Sequence, residues 1–175
     1  MKKHINIIAL VVMAFAVLLL SGCKPKREEL KFKHEEGTIV FNVKKDMGYK
    51  ISTDKKDFRT SREQGVLIGK DFKIGIEFDD DFKYFFKSDF NKIKEARKES
   101  DDYKEVTYSD IKGFQYFYDG YNRYTVILPC NDSKEYFLSL NIYGSKDNEE
   151  SAKKAINNEE VIDILNNIVS IKSAK

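Results

Sequence analysis

The sequence predicts an α+β fold: a single domain over residues 37–172 in which helices pack on the faces of an antiparallel β-sheet. Three observations carry that expectation. Phe72, Ile74, Ile76 and Phe78 alternate with Lys73, Gly75 and Glu77, the period-two pattern of a strand with one face in a core. Phe82, Phe85, Phe86, Phe90 and Ile93 then recur at three- and four-residue steps, which is the stripe of an amphipathic helix facing a core. Beyond residue 103 apolar runs are joined by short turn signals, and this favours hairpins over the alternating units of a parallel sheet.

From the start of the chain, Met1-Lys2-Lys3-His4 is a basic end, and Ile5–Leu20 is apolar except for Asn6. A spanning helix needs about 20 apolar residues, whereas the apolar part of a secretory signal runs roughly 7–15. Leu20-Ser21-Gly22-Cys23 closes the run. The segment resembles the bacterial lipobox. That resemblance implies that residues 1–22 are a lipoprotein signal peptide cut after Gly22, with a diacylglyceryl thioether on Cys23 and fatty chains such as palmitate. The alternative is an uncleaved transmembrane anchor with an incidental cysteine. Both place the rest of the chain on the extracytoplasmic side of the cell membrane. Each buried methylene contributes about 0.8 kcal/mol, so two chains attach stably where one binds marginally.

Loss of residues 1–22 removes Lys2 and Lys3 and leaves acidic and basic side chains balanced. A neutral chain gives no expectation of nucleic-acid binding, which needs a positive surface to displace counterions. With Cys23 lipidated, Cys130 stands alone and no intrachain disulfide framework exists. A nucleophilic role for Cys130 needs a base to lower the thiol pKa, and His34 is the sole histidine of the mature chain. Residues 23–36 form the lipidated cysteine and a charged tether, about 20 Å as a coil. Leu30 and Phe32 alternate with charges there, so the end of the tether is alternatively the start of the first strand.

"TIVFNV" (38–43), "GYKIST" (48–53) and "GVLIG" (65–69) are short β-prone runs ahead of the strand at 72–78. Asp79-Asp80-Asp81 follow it. A calcium loop spaces its oxygen ligands and turns on a glycine; three adjacent carboxylates before a helix instead suit its N-terminus. No metal and no cofactor is expected. "YKEVTYSDI" (103–111) alternates loosely, and "GFQYFYDGYNRYTVILP" (113–129) is expected to be a hairpin turning at Asp119-Gly120, a two-residue pair that accepts positive φ. "NDSK" (131–134) makes the next reversal. In "EYFLSLNIYG" Tyr136, Leu138, Leu140 and Ile142 point one way, against Phe137, Ser139, Asn141 and Tyr143. Val161, Ile162, Leu165 and Ile168 mark a last helix capped by Asn157 or Asn158, and Val169 and Ile171 suit a terminal strand.

The expected order is β-β-β-β-α-β-β-β-α-β. Within it, "FKIGIEF" before the helix, "IKGFQYFY" opening the meander and the closing "NNEEVIDILNNIVSI" are similar to the PsbP-like α-β-α sandwich over about residues 37–172. That similarity implies a ligand- or partner-binding domain more than an enzyme.

No histidine triad, thiol–base pair or phosphate loop is present in the domain. "GVLIGKD" has Gly65, Gly69 and Lys70 but lacks the spacing and the hydroxyl residue of a P-loop. The expected function is a non-catalytic binding module for an envelope protein or glycan; the alternative is a small hydrolase using an acid pair the sequence does not single out. The candidate binding surface is Tyr116, Tyr118, Tyr121, Asn122, Arg123 and Tyr124, because Tyr and Arg concentrate binding energy and tyrosines stack on sugars. The competing reading buries those tyrosines on one sheet face beneath a helix.

Overall fold

The computed structural model describes residues 25–79, 90–130 and 136–174. Cys23, the signal segment, Asp80-Asp81 and Phe82, Phe85 and Phe86 therefore lie outside the described residues.

The first element is an antiparallel hairpin of β1 (Arg27–His34) and β2 (Gly37–Lys44). The tether reading is thus corrected from Arg27 onward in favour of a strand. Its charged side chains did not prevent this, because they alternate with groups that turn inward. Phe32 is buried in the main core and stacks on Phe78 with ring centroids 6.3 Å apart. Arg27 donates to the Asn42 carbonyl at 2.7 Å and to Asp163 at 2.6 Å.

The chain continues through β3 (Lys50–Ser52), β4 (Gly65–Ile68), β5 (Phe72–Asp79), α1 (Phe90–Arg97) and β6 (Lys104–Tyr108). It then runs through β7 (Ile111–Tyr118), β8 (Arg123–Pro129), β9 (Phe137–Gly144), α2 (Glu149–Ile156), α3 (Glu159–Leu165) and β10 (Ile168–Ser173). Strand order is β3-β4-β5-β9-β8-β7-β6 in a seven-stranded sheet and β1-β2-β10 in a three-stranded one. Every pairing is antiparallel, so the α+β architecture is as the sequence predicts. Among the described residues it carries ten strands and three α-helices, two more strands and one more helix than the expected order.

The added helix, α2, has a faint apolar signal because two of its three buried residues are alanines: Ala152, Ala155 and Ile156. Asn148 caps it by accepting from the Ser151 N–H at 2.8 Å. Asn158 caps α3, accepting from the Glu160 N–H at 2.7 Å, while Asn157 closes α2. The α3 stripe is corrected to Val161, Ile164 and Leu165, with Ile162 exposed. Helix α3 stops at Leu165, and Ile168 belongs to β10. A register irregularity between Ile168 and Ser170 lets Ile168 and Ile171 both reach the core while Val169 faces solvent.

One face of the seven-stranded sheet is covered by α2, α3 and the three-stranded sheet, and Ile74, Ile76, Val126, Leu138, Leu140 and Ile142 join Phe41, Ile164 and Ile171 in a single core there. On the other face Phe114, Tyr116, Ile127 and Phe137 form a smaller cluster with Ile93 and Phe90 of α1. The hairpin thus has Phe114 and Tyr116 in the smaller cluster, with Tyr118 packed against it, and Phe117 in the main core. Its turn is corrected: four residues, Asp119–Asn122, separate β7 from β8, and the positive φ of 45° falls on Asn122. Asparagine is one of the few L residues that visit this region routinely. Cys130 is buried in the main core. No helix among the described residues is long and apolar enough to cross a membrane.

Candidate functional site: a polar cleft on one sheet face

Beside the α1 cluster, side chains from β5, β9, β8 and β7 line up in rows across the sheet. The ladder sets Glu77 beside Ser139, Ile127 and Phe114 in one row. The next row holds Gly75, Asn141, Thr125 and Tyr116, and the last holds Lys73, Tyr143, Arg123 and Tyr118. A buried hydrogen-bond chain runs along the middle row and on to Glu77 of the first. Thr125 Oγ1 donates to Asn141 Oδ1 at 3.1 Å, and Asn141 Nδ2 donates to Glu77 Oε2 at 3.2 Å. Buried polar atoms that find partners in this way avoid the desolvation cost of unmade bonds.

The segment before β4 forms one wall, with Thr60, Ser61 and Arg62. Glu63 fastens that wall to the sheet: Tyr143 OH donates to its Oε1 at 2.5 Å, and the Arg59 N–H donates to its Oε2 at 2.9 Å. Residue 75 has to be glycine for this, because a Cβ there would collide with the Glu63 carboxylate. Opposite, Arg97 from α1 lies over the Tyr116 ring, 5.1 Å from its centroid. At the hairpin end Arg123 sits 5.3 Å from the Tyr118 centroid and 5.2 Å from that of Tyr121. Its Nη1 donates to Tyr143 OH at 2.9 Å. These walls enclose a cleft of about 240 Å³ above the Glu77, Thr125, Ser139 and Asn141 floor.

Among the described residues three arginines line the cleft against one carboxylate, Glu77, with Glu63 adjoining. Two polar atoms beside it, Arg123 Nε and Thr60 Oγ1, are buried with no hydrogen-bond partner. Burial, reinforced by the Glu63 carboxylate and opposed by Arg123, pushes the Tyr143 hydroxyl well above the ordinary phenol range. Burial likewise raises Tyr116, with Arg97 and Arg123 acting against it. The phenols stay neutral hydrogen-bonding groups at any physiological pH.

Of the six residues singled out from the sequence, Tyr116, Tyr118, Tyr121 and Arg123 meet in this cleft. Asn122 instead donates to Asp147 at 3.2 Å. Tyr124, one strand position after Arg123, points to the other face; it is buried in the main core and its hydroxyl donates to Asp102. That contact, more than Lys153 nearby, holds the Asp102 carboxyl below its usual range. The competing burial reading holds for Tyr116, packed under Arg97, but not for Tyr121, which is 49% exposed.

Sequence reasoning missed Glu63, Arg62, Arg97 and the Glu77–Asn141–Thr125 chain. The available signal was a polar residue at a position whose strand neighbours are aromatic or aliphatic on both sides, as in Phe-x-x-x-x-Glu-Phe at 72–78 and Leu-Asn-Ile at 140–142. A second hollow of about 310 Å³ lies against α2, lined by Tyr103, Gln115 and Tyr124. Its acid, Asp102, is engaged by Tyr124 and by Lys153 at 3.4 Å. Among the described residues no cluster of His, Cys, Asp and Glu is arranged to hold a metal ion. Comparison with known proteins finds no family model, no curated protein and no solved structure that matches this chain.

Proposed function

We propose that this chain is a lipid-anchored extracytoplasmic bacterial lipoprotein whose domain is a non-catalytic binding module, with the cleft as its binding site. The observation that carries the reading is the cleft itself: a concavity with arginines, tyrosines and a hydrogen-bond chain converging on it, and two buried polar atoms at its rim left without partners. Ligand sites combine a concave shape with a few convergent polar groups in this way. Of the two ligand classes expected from the sequence, the polar, enclosed shape favours a glycan over a protein, whose hot spots favour an apolar core ringed by polar groups.

The non-catalytic part is supported by how the acids are used. Glu77 accepts from Asn141, and Glu63 accepts from Tyr143 and the Arg59 N–H. Both are bound into the scaffold rather than set across an open gap as an acid–base pair. His34 lies in the three-stranded sheet, 3.7 Å from Glu36, and Cys130 is in the core. The helices on both faces of one sheet support the PsbP-like reading of the element order; the three-stranded sheet is an addition to that plan.

Anchoring gains a geometric consequence from the fold. Lys26 already accepts a backbone bond from Lys45, at 2.9 Å, so three residue steps separate Cys23 from the domain, about 10 Å fully extended. Lipid on Cys23 would hold the globule against the bilayer with almost no leash. The strand it leads into belongs to the layer on the far side of the seven-stranded sheet from the cleft, so attachment leaves the cleft open.

Two measurements test the reading. Cys23→Ser should leave the chain unprocessed and lacking the mass of the acyl chains; an unaltered mass and membrane fraction would remove the anchor. Tyr121→Ala with Arg123→Ala should abolish capture of isolated envelope glycans by the membrane-bound protein; undiminished capture would remove the cleft.

A further inference from the structure

We propose that the cleft takes one acidic saccharide unit, a sugar ring carrying a carboxylate or phosphate; this rests on the binding reading above and specifies its ligand. The first support is charge. Among the described residues Arg62, Arg97 and Arg123 outnumber the carboxylates even when Glu63 is counted beside Glu77. The second is where the unmet bonding capacity lies. Arg123 spends Nη1 on Tyr143, while its Nε is buried without an acceptor, and Thr60 Oγ1 is in the same condition. The Nε edge of a guanidinium is one that a carboxylate or phosphate oxygen engages in a charge-assisted bond.

The third support is a polarity along the cleft. Arg123 on β8 and Glu77 on β5, the two strands that flank β9, lie in rows four residues apart, about 13 Å along the strand direction at roughly 3.3 Å per residue. An acid group is therefore drawn to the Arg123 end and repelled from the Glu77 end. Glu77 and Asn141 offer acceptors and an amide, the chemistry that holds sugar hydroxyls. At the Arg123 end, Tyr118 and Tyr121 stack with centroids 5.8 Å apart, and Tyr121 is the half-exposed ring. It is the side chain that yields to admit the acid and then lies against the ring. The volume, about 240 Å³, falls below the roughly 300–1,000 Å³ of sites for drug-sized ligands, so one sugar unit fits rather than a folded oligosaccharide.

The test is calorimetry on the full-length protein in nanodiscs with four probes: glucuronate, glucose 6-phosphate, glucose and inorganic phosphate. At least one acidic sugar should bind about tenfold or more tighter than glucose, and which one distinguishes a carboxylate source from a phosphate source. Binding should weaken by a similar factor in Arg123→Gln and in Arg97→Gln, and fall as salt is raised. Because Arg123→Gln also frees Tyr143, Tyr121→Ala is the second variant: its ring is half exposed, so loss of binding there is not loss of fold. Glucose binding as tightly as glucuronate would overturn the acidic class and leave the glycan reading standing. Inorganic phosphate matching glucose 6-phosphate would overturn the sugar. No binding by any probe, together with no capture of envelope glycans, would overturn both; an envelope protein seated on the cleft would overturn the proposal in favour of a protein partner.

Discussion

The seven-stranded sheet presents two faces made by the same strands, and they differ in what they bury. On one, Ile76, Leu140 and Val126 sit side by side across three strands beneath α2, α3 and the three-stranded sheet. One residue further along, Gly75, Asn141 and Thr125 are aligned in the same way on the other face. All three of the polar residues Glu77, Asn141 and Thr125 are as buried as their aliphatic neighbours. Burial without apolar character is costly unless every group is bonded, and the Thr125–Asn141–Glu77 chain supplies those bonds. The cohesive face is where the stability of the domain resides, and under the binding reading proposed above the polar face is where recognition takes place.

The largest test of that contrast is truncation at its centre. Leu140 is fully buried in the main core. Leu140→Ala should cost about 2–5 kcal/mol, as cavity-forming changes in packed cores do. The measurement is a urea midpoint followed by circular dichroism. A cost below about 1 kcal/mol would mean that the apolar face is loosely packed and that the division drawn here is wrong.

Its neighbour gives the second test. Asn141→Leu has similar size but takes a donor from Glu77 and an acceptor from Thr125. Leaving buried polar groups unmet costs about 1–3 kcal/mol. Adding the change Glu77→Leu should recover part of that loss, since replacing both partners by apolar groups removes the desolvation penalty. If the double variant is no better than the single one, the Asn141–Glu77 bond is not what holds this row together.

The two faces were also unequally legible in the sequence. The cohesive face was visible because its signal is periodic: Phe72, Ile74, Ile76 and Phe78 alternate, as do Leu138, Leu140 and Ile142. The polar face needs the register. Glu77, Ser139 and Thr125 lie dozens of residues apart and become one floor only when β5, β9 and β8 pair. The wall residues Thr60 and Arg62 come from an irregular segment with no period at all. Tyr116, Tyr118, Tyr121 and Arg123 meet in the cleft because a hairpin makes its own neighbours; Tyr124 turns to the main core because successive strand residues face opposite ways. Strand β1 was half hidden by its charges, and α2 by its alanines.

A third, smaller effect is electrostatic. Burial, then Glu63, raises the Tyr143 pKa above its unfolded value near 10. A raised folded pKa means that the native state holds its proton more tightly than the unfolded chain. The stability this contributes is fully present below about pH 10 and is lost as pH rises above that value. Each such group gives at most about 1.4 kcal/mol per pH unit. Tyr124, raised by burial and by Asp102, and Tyr49, raised by burial and by Glu160, add to the same decline. Urea midpoints at pH 8 and 10.5 should therefore fall steeply in the wild type and less steeply in Tyr143→Phe. Equal slopes would show that the phenol on the polar face is not desolvated.

The smallest expected change in stability is the most discriminating for function. Tyr121 stands on the four-residue turn between β7 and β8, with 49% of its surface in solvent. It contacts Tyr118 and Arg123 but belongs to neither buried cluster. Surface substitutions away from packed or bonded sites usually move stability by within about 0.5 kcal/mol, so Tyr121→Ala should leave the urea midpoint almost where it was. The same change removes the outer ring over Arg123, so ligand capture should fall sharply. Separation of the two readouts would place recognition on the polar face without cost to the cohesive one. A large loss of stability would instead make Tyr121 a structural plug over Arg123, and the cleft part of the core.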